Sequence, residues 1–206
     1  MRELTIEEFL SRLSAREPVP GGGATAGLHA AQAAALLAMV ARYSEGPRYA
    51  GHAQEIAKVL AEAEALREQA VRAAGDDMAA FAAVAAAYQR PRDSDPERAA
   101  RTSAIAEALA GAAQPPMVTI AVAERLVALA ETLLPIGNHN VITDIAVAAE
   151  TARAAATAAR VNVEVNLAGI ADPSVRQACL AAIGHVDPLV ARVDRVTAEI
   201  RKELCR

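Results

Sequence analysis

Asp77 heads the run Asp77-Met78-Ala79-Ala80-Phe81, so on a helix its carboxylate lies one turn from an aromatic ring among small apolar neighbours. A carboxyl partly withdrawn from water has a raised pKa and is suited to exchanging a proton with a reacting group. The plainer reading of Asp77 is a solvated acid following Gly75, and Asp76 beside it shows that acids here can be plain surface. A second group is Pro18-Val19-Pro20-Gly21-Gly22-Gly23, followed at once by an alanine-rich run. The prolines fix the approach of the chain, and the glycines admit close contacts and backbone dihedrals closed to other residues. A helix that starts there offers free amide donors and its positive dipole end to an anion. A turn that lets a buried helix begin in a crowded place uses glycine just as well.

Two further groups are rich in amides. Asn138, His139, Asn140 and Asp144 cluster where a loop enters a helix, to satisfy turn backbone and cap the helix or to hold the polar edge of a ligand. Asn162 and Asn166 lie one turn apart on the helix face shared with Asp144. A straight helix separates Asp144 from Asn162 by about 27 Å. If both ends act, the far end belongs to another site or to a neighbouring subunit.

Other chemistries lack their residues. The histidines, His29, His52, His139 and His185, have no paired metal-ligand spacing, so no metal site is expected. No Gly-Lys-Ser follows the glycines and no strand precedes them, which excludes a phosphate-binding loop and a dinucleotide fingerprint. No serine nucleophile elbow is present. A net charge of -4 without a basic run or aromatic platform argues against nucleic acid. Cys179 and Cys205 form neither a disulfide framework nor a zinc spacing, which suits a reducing cytoplasm. The start, Met1 to Thr5, shows early acid and no apolar stretch, so no secretion signal is expected.

The elements that must position these groups are helices. At 206 residues the chain fits one domain, taken here as residues 1–206, and its 53% hydrophobic content can build a sizeable core. Only 2% is aromatic, so the core must be closely spaced helices with alanine at the contacts. Thr5-Ile6-Glu7-Glu8 has the form of a capping box opening a first helix that ends near Ala15. A second runs from about Ala24 to Tyr43. From Pro18 to Ala41 there is no charged residue, a length sufficient to span a bilayer. Its glycines, prolines, Thr25, His29 and Gln32, with alanine as filler, favour a buried central helix and no membrane.

His52 to Tyr88 reads as one long helix or two collinear ones interrupted at Gly75. Asp95 caps a fourth helix with Pro96 at its first position, and a fifth runs from Met117 to about Leu133. A sixth begins near Thr143 and extends through Asn162, as far as Leu167 at most. Within it Val161-Asn162-Val163-Glu164-Val165 alternates like a strand that would have no partner. Asp172-Pro173 opens a short seventh helix, and Gly184 separates it from a last amphipathic one. The expectation is an all-α antiparallel bundle of about seven to eight helices.

In sequence order these blocks resemble the formimidoyltetrahydrofolate cyclodeaminase and methenyltetrahydrofolate cyclohydrolase family. The resemblance rests on Pro18 to Gly23 before the alanine-rich helix ending Met39-Val40, and on Glu64-Ala65-Leu66-Arg67 ahead of Asp77 to Phe81. Pro91-Arg92, Arg101, Pro116, Gly137-Asn138, Thr143-Asp144, Asn162-Val163, Asn166-Leu167 and Asp172 continue it, so it spans about Leu4 to Asp172. Three positions depart from the family pattern. Ala24 and Thr143 stand where serine is usual, and Arg92 stands where lysine is usual.

The resemblance implies an all-helical homodimer acting on the carbon between N5 and N10 of tetrahydrofolate. In cyclodeamination N10 attacks the N5-formimino carbon and ammonia leaves; in the cyclohydrolase reaction water attacks the methenyl carbon and the ring opens. One pocket can serve either, since both pass through a tetrahedral carbon. Asp77 occupies the position the family uses for proton transfer. Gly21, Gly22 and Gly23 would close the pocket on the ligand, Asn138 and Asp144 would meet the polar edge of the pterin, and Arg92 would meet the glutamate tail. Asn162 and Asn166 join these as substrate-binding residues. No metal or redox cofactor is implied. Cyclodeaminase is the leading reading; cyclohydrolase, or a non-catalytic helical ligand-binding dimer, is the alternative.

Overall fold

Close approach of two helices organises this protein, and small residues make it. The computed structural model describes residues 3–205; the Met1-Arg2 start considered for a secretion signal lies outside them. Eight α-helices follow one another among the described residues: α1 (Ile6–Ser14), α2 (Gly22–Tyr43), α3 (Ala53–Tyr88), α4 (Asp95–Ala112), α5 (Gln114–Leu133), α6 (Ile142–Leu167), α7 (Pro173–Gly184) and α8 (Val186–Leu204). Short 3-10 turns at Pro47–His52 and His139–Val141 connect α2 to α3 and α5 to α6. No described residue lies in a strand, as the all-α expectation requires.

Helix α2 is the centre. Ala26, Ala30, Ala33, Ala34, Leu37, Val40 and Ala41 are fully buried, and α3, α5 and α6 pack around them. It is long and apolar enough to cross a membrane, but most of it is buried by its own neighbours, the signature of a core helix. A β-carbon at Gly27 would lie 2.8 Å from that of Ala74 and 3.0 Å from its backbone, so only glycine permits this crossing of α2 over α3. Gly23 meets Asp77 one turn away, and Arg42 pairs with Glu64 at 2.7 Å further along. These contacts run in opposite chain directions, so α2 and α3 are antiparallel. Helix α6 also lies antiparallel to α2, with Asn162 near Gly22 and the loop before α6 near Tyr43.

The outer helices complete the core. Leu189, Val193, Val196 and Ile200 of α8 are buried against it, and Arg192 grips Glu131 of α5 through two hydrogen bonds of 3.0 and 2.7 Å. Helices α3 and α4 form an antiparallel pair closed by the loop 89–94.

Several boundaries differ from the sequence reading. Gly22 and Gly23 belong to the first turn of α2, which does not wait for Ala24. Of the two forms the sequence left open for α3, the one present is a single helix that passes through Gly75 unbroken. Ser94, not Asp95, caps α4 through a capping box with Glu97, which leaves Asp95 and Pro96 in the first turn. Pro115 and Pro116 sit inside the first turn of α5, where their missing N–H groups have no partner to lose. The Val161 to Val165 stretch is helical. Val163 is fully buried while Val161 and Val165 are exposed, so the three valines do not share the face a strand would give them.

Candidate active site

The N-terminus of α2 has no side-chain cap of its own, since Gly21 occupies the N-cap position. Asp77 supplies the acceptor from another helix. The backbone N–H of Ala24 is directed at its carboxylate, and a β-carbon on residue 23 would fall within 2.6 Å of the Asp77 Cγ and both oxygens. Burial pushes the Asp77 carboxyl above the ordinary aspartate value, and the Ala24 N–H opposes that rise by stabilising the anion. The result is a half-buried carboxyl held between Gly23 and the Ala24 N–H. Asp76, its neighbour, is exposed and faces the opposite groove.

Asp77 opens into a cavity of about 380 Å³. One wall is the turn Pro18 to Gly23, in which the Val19-Pro20 bond is cis. A second wall is the α3 face carrying Asp77, Phe81, Val84 and Tyr88, and a third comes from Leu109 and Ala112 of α4. The last is the C-terminal turn of α6 with Asn162, Val165 and Asn166. Asn162 Nδ2 donates to Ala158 O at 2.8 Å, and Asn166 Nδ2 donates to Asn162 O at 2.9 Å. Carbonyl oxygens accept only, so these bonds fix both amide orientations. Neither Oδ1 has a hydrogen-bond partner among the described residues. The cavity therefore combines one tunable carboxyl and two amide oxygens at its polar end with an apolar, partly aromatic remainder, as a flat heterocycle rich in N–H groups would require.

Of the residues singled out from sequence, the structure brings together Gly21, Gly22, Gly23, Asp77, Asn162 and Asn166. It places Asn138 and Asp144 elsewhere in the same chain. Helix α2 is 22 residues long, about 33 Å, and these two lie at its other end. Asn138 has a structural task there: its N–H donates to the buried Ser44 hydroxyl at 2.8 Å, its Nδ2 to Tyr43 O at 2.8 Å, and its Oδ1 accepts from Asn140 N–H at 3.0 Å. Both polar atoms of its side chain make a bond there, and Asn138 does not line the cavity that holds Asp77. Asp144 sits in the first turn of α6, half-buried and with no hydrogen bond to another described residue. Arg92 lies in the exposed loop between α3 and α4, outside the cavity lining.

Val84, Tyr88, Leu109, Ala112 and Val165 are cavity residues that the sequence did not reveal. Val84 and Tyr88 carried a signal, since they continue the face of Asp77 and Phe81 at helical spacing. The others carried none. Ala24, where the family pattern has serine, is fully buried with Phe9 and Ala74 in a small apolar cluster, so a hydroxyl there would not reach the cavity unaided. Thr25 turns away and donates to Gly21 O at 3.0 Å.

The fold and the site define a class: all-helical proteins in which a desolvated carboxyl on one helix faces the bare, glycine-built N-terminus of another across a small-molecule cavity. The chain belongs to the formiminotransferase-cyclodeaminase family, whose model matches residues 5–185. Among its relatives is the methenyltetrahydrofolate cyclohydrolase of Methylorubrum extorquens, 39% identical over 169 residues that make up 82% of this chain and 81% of that protein. The formimidoyltransferase-cyclodeaminase of Rattus norvegicus is 29% identical over 171 residues, which are 82% of this chain but only 32% of that longer protein. The crystal structure of formiminotetrahydrofolate cyclodeaminase from Thermotoga maritima superimposes with a TM-score of 0.82 at 29% identity, covering 98% of this chain and 96% of that one.

Proposed function

We propose that this chain is a folate one-carbon enzyme that adds water to the methenyl carbon bridging N5 and N10 of tetrahydrofolate. The observation that carries this reading is the Asp77 carboxyl, raised by burial and set between Gly23 and the Ala24 N–H at the polar end of an otherwise apolar cavity. As carboxylate it takes a proton from the attacking water; as carboxylic acid it returns that proton to N5 while the carbon–N5 bond breaks. The new hydroxyl loses its proton and the carbon stays on N10 as a formyl group, so the cationic substrate and water give a neutral product and one proton. No electrons move, and the balance calls for no redox cofactor. The Asn162 and Asn166 oxygens accept from the heterocycle, and the glycine turn lets the ring approach the α2 amides.

The 39% identity to a methenyltetrahydrofolate cyclohydrolase over most of both chains supports water as the attacking group. A second reading, cyclodeamination, has support in the whole-chain likeness to the Thermotoga maritima cyclodeaminase. There N10 attacks the carbon of the protonated N5-formimino group and loses its proton to Asp77, Asp77 returns that proton to the departing nitrogen, and ammonia leaves with the methenyl cation remaining. Absorbance of the methenyl chromophore separates them: it decays when methenyltetrahydrofolate is supplied to a cyclohydrolase and grows when a cyclodeaminase receives the 5-formimino compound. Turnover of neither, with Asp77→Asn behaving as wild type, would leave the non-catalytic binding dimer as the reading.

The reading includes a homodimer. Ile6, Leu10 and Val147 are exposed apolar side chains on a continuous surface where α1, α2 and α6 meet around His29 and Gln32. A second copy placed there by a two-fold axis near the middle of α2 would run its α6 antiparallel to this one, carrying its own Asp144 towards the Asn162 end. A reducing, cytoplasmic setting belongs to the same reading: Cys179 is buried and Cys205 is on the surface.

A further inference from the structure

We infer that Arg101, seated on Tyr88, is the cation that receives the carboxylates of the substrate's glutamate tail, and that the tail leaves the cavity between α3 and α4. The inference rests on the folate reading above. The cavity is long in one direction. Asp77, Phe81, Val84 and Tyr88 lie along one face of α3, and from Asp77 to Tyr88 (88 − 77 = 11 residues) the helix rises about 16 Å. The reacting carbon has to sit at Asp77, so the aminobenzoyl ring next to it passes along Phe81, Val84 and Leu109 towards Tyr88. Phe81 and Tyr88 are 49% and 51% exposed, an unusual use of rings in a chain with only two Phe and three Tyr. Flat apolar rings at the mouth of a cavity suit a flat aromatic ligand.

Beside Tyr88, just outside the cavity lining, stands a prepared cation. Arg101 of α4 donates from Nε and Nη2 to Tyr88 O at 3.3 and 3.1 Å, and its guanidinium lies 5.6 Å from the centre of the Tyr88 ring. These contacts use part of its donor fork and leave the remaining N–H groups for an incoming acceptor. No carboxylate among the described residues pairs with it. Eight other arginines, Arg12, Arg42, Arg67, Arg98, Arg125, Arg153, Arg160 and Arg192, are by contrast each paired to an Asp or Glu. A guanidinium held in one orientation by backbone and ring loses little freedom on binding a carboxylate, and it binds with two parallel bonds. Arg92, to which the resemblance assigns this task, is exposed in the connecting loop and makes no side-chain hydrogen bond to a described residue. It is the less prepared of the two.

The test is steady-state kinetics of Arg101→Ala, Arg101→Lys and Arg92→Ala on the monoglutamyl methenyl or formimino substrate and on the same compound ending in a neutral benzamide. Arg101→Ala should raise KM for the glutamyl substrate about ten-fold or more, as expected for loss of a charge-assisted bond, with kcat within about two-fold of wild type. The benzamide compound should show the same KM with wild type and Arg101→Ala. Arg101→Lys, which keeps the charge and loses the fork, should fall between them and guards against misfolding of the alanine variant. An equal rise in KM for both compounds, or a rise produced by Arg92→Ala in place of Arg101→Ala, overturns the assignment. If the wild type turns over neither glutamyl compound, the folate reading itself has failed, which is a different result.

Discussion

The carboxyl group of Asp77 occupies the space that a β-carbon on residue 23 would need. This contact joins the glycine turn to the acid, and it makes the identity of residue 23 a condition for the placement of Asp77. The adjacent glycines are under no such demand. A β-carbon at Gly21 meets nothing within 4 Å, and one at Gly22 reaches only the Asn162 amide at 3.7 Å, an ordinary contact.

Gly23→Ala should therefore lower kcat/KM by two orders of magnitude or more, the usual worth of a positioned proton-transfer group. The obstructing atoms are the end of a rotatable side chain, so the fold can survive by turning Asp77 away. Gly21→Ala, at an extended N-cap position, should retain activity within a few-fold. Kinetics alongside circular dichroism of the two glycine variants decides this; an active Gly23→Ala would remove the contact from the mechanism.

Asp77→Asn separates stability from activity. The folded carboxyl is raised above its ordinary value of 3.8, so the folded state favours the protonated form. That contribution is fully present below the unfolded pKa and is lost as pH rises through the folded one. Asparagine cannot ionise and still accepts from Ala24 N–H. At neutral pH the variant should melt at or above the wild-type temperature while its kcat falls about 10²-fold or more, and the difference in melting temperature should shrink as pH approaches 4. A wild type that gains on the variant as pH rises would contradict the assigned direction.

The crossing of α2 and α3 can be tested apart from catalysis. Gly27→Ala drives a methyl against Ala74 backbone at 3.0 Å, and backbone cannot rotate aside. The two helices must separate, which should cost about 1–3 kcal/mol, as overpacking does. Urea unfolding of Gly27→Ala against wild type reads this directly. Activity should fall as well, because the crossing sets the gap one turn away between Gly23 and Asp77.

How far the sequence foretold these relationships depended on whether a residue acts locally. Capping at Thr5 and Asp172, and the punctuation at Pro173 and Gly184, act within one turn and were legible. The glycine turn, Asp77, Asn162 and Asn166 were legible as candidates, and only the fold shows that they share one cavity. Leu109, Ala112 and Val165 were not legible, since helices far apart in sequence bring them to the cavity and nothing in their own neighbourhoods marks them. The structural task of Asn138 was hidden for a related reason: its side chain serves Tyr43 O, 95 residues away, and joins a loop to a helix end.

That joint gives a further prediction. Ser44 is fully buried; its hydroxyl donates to Val40 O at 2.7 Å and accepts from Asn138 N–H at 2.8 Å. Ser44→Ala leaves the Asn138 N–H without a partner and should destabilise the protein by about 1–3 kcal/mol. The Asp77 cavity lies at the other end of α2, so kcat should hold within about two-fold. A large loss of kcat in a folded Ser44→Ala protein would show that this end of the bundle takes part in the reaction, as a shared subunit interface would require.

The proposed dimer predicts its own failure point. Val147 is 52% exposed on α6 beside His29 and Gln32, with Ile6 and Leu10 on the neighbouring part of the same surface. Burying such side chains against a second copy removes apolar area from water at about 25 cal/mol per Å², whereas a carboxylate at that position would have to be desolvated without a partner. Glu150 already lines the groove next to Val147, so a second acid there adds repulsion. Val147→Glu should convert a species of twice 21.4 kDa into one of 21.4 kDa in light scattering, with the helical circular dichroism signal retained. If activity disappears along with the dimer while Asp77 and its cavity remain intact, the second copy completes the site. Wild type that scatters as a monomer, or Val147→Glu that stays dimeric, moves the interface to another face or abolishes it.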